Sequence, residues 1–209
     1  MDDLRYGVIG TGMMGVEHIH NLNMLPGARV TAVADPSPAS LSKGAAAAEH
    51  QVSVHDDHRR LLDSGDCDAV VVASPNMTHI DVLRDVLATD IAVLVEKPLC
   101  TTIEDCKTVI QLAEHRKGIV WVGLEYRYMA PVARLLQAID NGVVGTVHMI
   151  AIREHRFPFL EKVDNWNRFN RNTGGTLVEK CCHFFDLMNL VAKARPTRVL
   201  ASGGHDVNH

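Results

Sequence analysis

The stretch Tyr6-Gly-Val-Ile-Gly-Thr-Gly-Met-Met-Gly15 constrains this chain more than any other. It is a short apolar run that turns directly into closely spaced glycines. Gly10, Gly12 and Gly15 give the spacing G-x-G-x-x-G. The first glycine permits a tight turn, the second lets a pyrophosphate approach the backbone, and the third lets helix and strand pack closely. The N-terminus of the helix that follows then offers unpaired N–H groups and the positive end of its dipole to phosphates. A second apolar run, Arg29-Val-Thr-Ala-Val-Ala-Asp35, ends in an acid 20 residues past Gly15. A carboxylate there accepts hydrogen bonds from the adenosine ribose hydroxyls. It would repel a 2′-phosphate, and no Arg follows it directly, so NAD is favoured over NADP. The competing reading is an ordinary strand–turn–helix with a surface Asp.

Composition narrows the class. The 209 residues suffice for one large domain or two small ones. Net charge is −4 with both signs interspersed and no basic run, which argues against nucleic acid as the main partner. The first apolar run starts almost at residue 1, leaving no expected room for a targeting peptide. No apolar run reaches the length of a membrane span. Cys67, Cys100, Cys106, Cys181 and Cys182 are odd in number and lack paired spacing. They read as reduced thiols, and the expected setting is cytoplasmic.

To about Gly123, strand-like runs alternate with helical patterns. Strands are expected at Tyr6–Gly10, Val30–Ala34, Val52–Val54, Ala69–Ala73, Ala92–Val95 and Ile119–Gly123. Helices are expected around Val16–Leu25, Ala39–Glu49, His58–Asp63, Ile80–Ala88 and Ile103–His115. Short apolar strands with helical crossovers predict a doubly wound parallel sheet covered on both faces, in an α/β fold. The pattern then changes, which divides the chain into residues 1–124 and 125–209. The second region shows a helix over Pro131–Asp140, a strand over Val147–Ile152 and a polar, aromatic-rich loop over Arg156–Thr173. A helix from about Thr176 to Lys193 and a strand over Thr197–Ser202 follow. Two strands seldom make an independently stable sheet, so this region reads as an incomplete α/β domain.

Three constellations carry chemistry. Ser74-Pro-Asn-Met-Thr-His79 follows the fourth strand, where ligands of an open parallel sheet bind. Asn76 is placed to contact a cofactor; the alternative is a Pro-Asn turn that caps a helix starting at His79. The fifth strand ends in Glu96-Lys97-Pro98. A lysine there can be partly desolvated and can donate to, or polarise, a reacting oxygen. The alternative is a solvated Glu-Lys pair stopped by proline. On a helix, Glu179, His183 and Asp186 fall at i, i+4 and i+7 on one face. A histidine with a carboxylate one turn away can act as a general base, or be a satisfied core residue. A zinc site from Cys181, Cys182 and His183 is disfavoured because adjacent helical residues point apart.

Together G-T-G-M-M-G, Asp35, S-P-N-M-T-H, E-K-P and G-G-T-L-V-E-K-C-C-H-F-F-D resemble the glucose–fructose oxidoreductase/inositol dehydrogenase/MocA family, over essentially the whole chain. The resemblance implies a Rossmann domain followed by an α/β domain with a large open sheet that commonly mediates oligomerisation. It implies NAD- or NADP-dependent oxidation or reduction of a hydroxyl on a sugar, cyclitol or related compound. Lys97 resembles the family's catalytic lysine, and Pro98 its proline, often preceded by a cis bond. His183 resembles the histidine that takes the hydroxyl proton. Where the family usually has D-x-G-x-H, this chain has Glu179 and Cys181, so Glu179 stands in for the orienting acid. Tyr126-Arg127-Tyr128 resembles the segment beside cofactor and substrate. The expected cofactor contacts are Gly10, Gly12, Met13, Met14, Gly15, Asp35, Ser74, Pro75, Asn76, His79, Glu96, Lys97 and Arg127, with no metal. The chain is shorter than the family's usual length, and the part not represented would hold most of the open sheet. The expected function is an inositol 2-dehydrogenase-like oxidoreductase. The alternatives are a dinucleotide-binding regulatory protein and redox-assisted glycoside cleavage. The expected partners are a polyol or sugar and, with a complete open sheet, further copies of the chain.

Overall fold

The computed structural model describes residues 3–155 and 160–204. The start of the expected polar loop and the last residues of the chain lie outside the described residues. Contacts divide the chain into two compact units, Met1–Leu124 with Arg156–Cys182 and Glu125–His155 with His183–His209.

The first unit is a parallel sheet of β1 (Leu4–Ile9), β2 (Ala28–Ala34), β3 (Ser53–His55), β4 (Ala69–Val72), β5 (Ala92–Glu96) and β6 (Val120–Gly123). The strand order is β3-β2-β1-β4-β5-β6. Five helices connect them: α1 (Met13–Asn23), α2 (Pro38–Ala47), α3 (His58–Asp63), α4 (His79–Leu87) and α5 (Ile103–Ala113). Each is within a few residues of its sequence-based expectation. The apolar runs are continuous because successive side chains face opposite helical layers. Val8, Val30, Val33 and Val71 pack with Ile19 and Leu22 on one face. Ile9, Ala32, Val70, Val72, Val93 and Val95 pack with Leu83 and Val86 on the other.

The chain reverses its winding between β1 and β4, which pair directly from Tyr6↔Ala69 to Ile9↔Val72. That reversal opens a crevice at the carboxyl ends of the strands. Gly10 enters it at φ +87°, and a side chain there would meet the Ser74 nitrogen at 2.5 Å. A Cβ on Gly15 would lie 1.9 Å from the Gly10 carbonyl oxygen, so α1 rests directly on the turn. A Cβ on Gly12 would meet nothing within 4 Å. The three glycines therefore serve three needs: a left-handed turn, open space over the backbone, and close packing.

After Leu124 come a 3-10 turn, Glu125–Tyr128, and α6 (Ala130–Asp140) in the second unit. In the first unit the return segment forms a 3-10 turn over Val163–Arg168, then α7 (Asn170–Thr173) and α8 (Thr176–Glu179). The expected strands Val147–Ile152 and Thr197–Ser202 are not formed: neither pairs with a strand among the described residues. Met149, Val199 and Leu200 are 78–90% exposed there. A strand exists only through a partner, and the alternating apolar pattern supplies none.

The expected continuous helix from Thr176 to Lys193 is also corrected. It is two helices, α8 and α9 (Cys182–Ala192). The Cys181 N–H bonds to the Thr176 carbonyl five residues back, at 3.2 Å, beside the regular Lys180-to-Thr176 bond at 2.9 Å. That wider turn ends α8, so Glu179 and His183 do not share one helical face.

The glycine geometry yields a paired test. Gly15→Ala is expected to lose about 1–3 kcal/mol of stability through overpacking. Gly12→Ala should leave the urea unfolding midpoint within error of the parent. Equal losses in both variants would contradict the contacts described above.

Candidate cofactor and active site

In the first unit, four strand ends bring the predicted residues together. Asp35 follows β2, and its two carboxylate oxygens accept backbone N–H bonds from Thr11 (2.7 Å) and Ser37 (2.8 Å). The acid is thus tied to the glycine turn, and each oxygen keeps a lone pair for a further donor. Met13 and Met14 open α1 with exposed side chains. Their N–H groups fall in the first turn, where no intrahelical acceptor exists.

The loop after β4 is held from within. The Thr78 hydroxyl donates to the Pro75 carbonyl and hydrogen-bonds with the Ser74 hydroxyl, both at 2.8 Å. His79 is fully buried, with Nδ1 at 2.9 Å from the Pro98 carbonyl and Nε2 at 3.0 Å from the Ser74 carbonyl. Burial lowers its pKa, opposed by the carbonyls of Pro98, Ser74 and Leu99. His79 therefore ties the post-β4 loop to the E-K-P loop through backbone contacts at both ring nitrogens. Asn76 differs. It is buried, and its side-chain Nδ2 has no partner among the described residues. A buried orphan donor at the carboxyl end of β4 fits a group that brings its own acceptor. With the open space over Gly12 and the free lone pairs of Asp35, the cradle suits a dinucleotide.

β5 ends in Glu96, followed by half-buried Lys97 and a cis Lys97–Pro98 peptide. Glu96 is 8% exposed. One carboxylate oxygen lies 2.7 Å from His18 Nε2 on α1, and the other accepts the Lys97 N–H at 3.2 Å. Burial alone would raise this carboxyl. The bond to His18, the His18 charge and Lys97 outweigh it and hold the group below the ordinary carboxylate range. A second lysine shares this neighbourhood. Burial, then the Lys97 ammonium, push Lys162 below the ordinary lysine range, while Glu179 and Glu96 oppose the shift. Lys162 Nζ also lies 5.5 Å from the Trp166 ring centroid. Glu179 thus belongs to the surroundings of Lys162 in the first unit.

The second unit holds the remaining predicted residues. His183 is buried and stacks on Tyr126 with ring centroids 4.1 Å apart and planes 8° from parallel. Its Nε2 is 3.4 Å from a carboxylate oxygen of Glu125. Within the second unit Glu125 thus offers His183 a carboxylate that the helical spacing does not point to. Asp186 is taken by Arg127 in a two-pronged pair, with Arg127 Nε donating at 2.6 Å. His18, Glu125 and Lys162 are the participants that sequence reasoning did not name. His18 has no local signal, since its partner lies 78 residues away. For Glu125 the nearest signal was its place beside Tyr126-Arg127-Tyr128.

Residues 4–124 match the oxidoreductase family with an NAD-binding Rossmann fold, and residues 137–209 match the C-terminal alpha/beta domain of that family. Inositol 2-dehydrogenase 2 of Saccharopolyspora erythraea is 39% identical over 150 residues, covering 70% of this chain and 44% of its own length. The rhizopine catabolism protein MocA of Rhizobium meliloti is 26% identical over 197 residues, covering 94% of this chain and 60% of its own. The crystal structure of myo-inositol dehydrogenase from Lactobacillus casei, in complex with NAD(H) and myo-inositol, superimposes with a TM-score of 0.74 at 28% identity. That match covers 91% of this chain and 55% of the other. The chain spans roughly half of the length of such relatives. Because the N-terminal match alone takes in more than half of the 209 residues, this chain belongs to the glucose–fructose oxidoreductase/inositol dehydrogenase/MocA family of oxidoreductases.

Proposed function

We propose that the chain carries the cofactor-binding and lysine-bearing part of an NAD-dependent dehydrogenase acting on a secondary alcohol of a cyclitol or sugar. The observation that carries this reading is Lys97: half-buried, at the carboxyl end of β5, on a loop braced by Glu96 and His79. An ammonium held there stabilises the charge that develops on an alcohol oxygen as its proton leaves. His183, oriented by its stack on Tyr126 and its approach to Glu125, is assigned the acceptance of that proton. These two roles rest on the motif positions. The bound nicotinamide would supply the hydride acceptor. Gly10, Gly12, Gly15 and the first turn of α1 would hold its pyrophosphate, Asp35 the adenosine ribose, and Ser74, Pro75 and Asn76 the crevice side. Asp35 supports NAD over NADP, because a 2′-phosphate would meet a carboxylate already fixed by Thr11 and Ser37. The relatives named as inositol dehydrogenases make a cyclitol the first substrate to try.

One observation favours a second reading. The break at Lys180–Cys181 puts Glu179 and His183 on separate helices, whereas their spacing sets them one turn apart on a single helix. A dinucleotide-binding protein without turnover would tolerate that.

The deciding measurement is NADH appearance at 340 nm with NAD and a panel of inositols and aldoses. On a substrate that responds, Lys97→Ala and His183→Ala should each lower kcat/KM by about 10²–10⁴. NADH affinity in the Lys97 variant should stay within a few-fold of the parent. NADH binding with no turnover on any polyol would favour the second reading. In parallel, Gly12→Ala should weaken NADH binding by about tenfold or more at unchanged stability, since its methyl fills the space proposed for the pyrophosphate.

A further inference from the structure

Glu96 is a buried carboxylate with two contacts that lead in different directions. One oxygen faces His18 Nε2 at 2.7 Å, on the helix that starts at the glycine turn. The other accepts the peptide N–H of Lys97 at 3.2 Å. An ionised carboxylate has no proton to give, so the ring nitrogen facing it carries one. The side chains of His18 and Glu96 are 21% and 11% exposed, so water competes little for this bond. A carboxylate buried to this degree needs its donors, and removing one leaves a charge without compensation.

We propose that His18 is a positioning residue for Lys97, acting through the Glu96 carboxylate that joins its imidazole to the Lys97 peptide N–H. The inference rests on the dehydrogenase reading for the role of Lys97. The link itself, from α1 to the E-K-P loop, stands on the geometry alone. With His18 in place the carboxylate has one orientation, and the Lys97 peptide plane follows it. Without His18 the carboxylate turns toward solvent or takes up a proton, and the peptide loses its acceptor. The side chain of Lys97 then leaves from a backbone that is no longer fixed. Among the described contacts none joins His18 to the cradle at Gly12, so the loss is expected in kcat more than in cofactor affinity.

The test compares the parent with His18→Leu and His18→Gln; glutamine retains an N–H donor with roughly the reach of Nε2. Two readouts need neither cofactor nor turnover. Carbon NMR of the labelled Glu96 carboxyl should show it titrating at higher pH in His18→Leu than in the parent. The Lys97 backbone amide resonance should shift or broaden in the same variant. On a responding polyol, kcat should fall about tenfold, by more than NAD affinity does. His18→Gln should restore all three. An unchanged Lys97 amide in His18→Leu overturns the link, and an unchanged kcat overturns the positioning role. Failure of the parent itself to turn over any polyol rejects the dehydrogenase reading instead, while the two NMR readouts still decide whether His18 orders the loop. Should His18→Leu fail to fold, His18→Asn, whose amide stops short of the carboxylate, takes its place in each comparison.

Discussion

A missing methyl group governs the layout of the first unit. The Cα of Gly15 lies against the carbonyl of Gly10, closer than any side chain allows. That contact sets how α1 leaves the turn, and several consequences follow from the direction it takes. Ile19 and Leu22 drop into the layer formed by Val8, Val30 and Val33. The first turn of the helix opens over the space beside Gly12. One and a half turns further on, His18 arrives within hydrogen-bond distance of Glu96 on the far side of β4. Local chain geometry, apolar packing and a long-range polar contact all depend on the same close approach.

The strand ends show how a charged group is kept inside a fold. Asp35 and Glu96 are both carboxylates at the carboxyl edge of the sheet, and each is held by donors on two separate segments. Burial works against the ionised form of Glu96, and the bond to His18, the His18 charge and Lys97 restore it. Both carboxylates are held in one orientation by these bonds. The pair Arg5–Asp68, with a 2.6 Å contact and both side chains more than 40% exposed, is different in kind. Water screens it, and it contributes little beyond local order.

Much of this was legible in the chain itself. β1 to β6 could be drawn from apolar runs because a strand covered on both faces needs no alternation, only continuity. The glycine turn and Asp35 were legible because their spacing is a backbone requirement. What could not be read were pairings across sequence. His18 and Glu96 are far apart in the chain, and the approach of His183 to Glu125 has no periodic signature. The helix around Thr176–Lys193 looked continuous because every residue in it tolerates helix. Its interruption comes from one hydrogen bond that skips a residue, Cys181 to Thr176, which composition does not encode. The segments 147–152 and 197–202 carry strand-like composition, but pairing is a property of two segments rather than one.

The bonds from Thr11 and Ser37 to Asp35 have a consequence for anyone wishing to alter cofactor choice. Exchanging Asp35 for a small or basic residue, to admit a phosphate on the ribose, also removes the acceptor of two backbone N–H groups. One of those belongs to the glycine turn. Redesign at this position therefore starts from a loosened loop. A second substitution that recaptures the Thr11 amide would have to accompany the first.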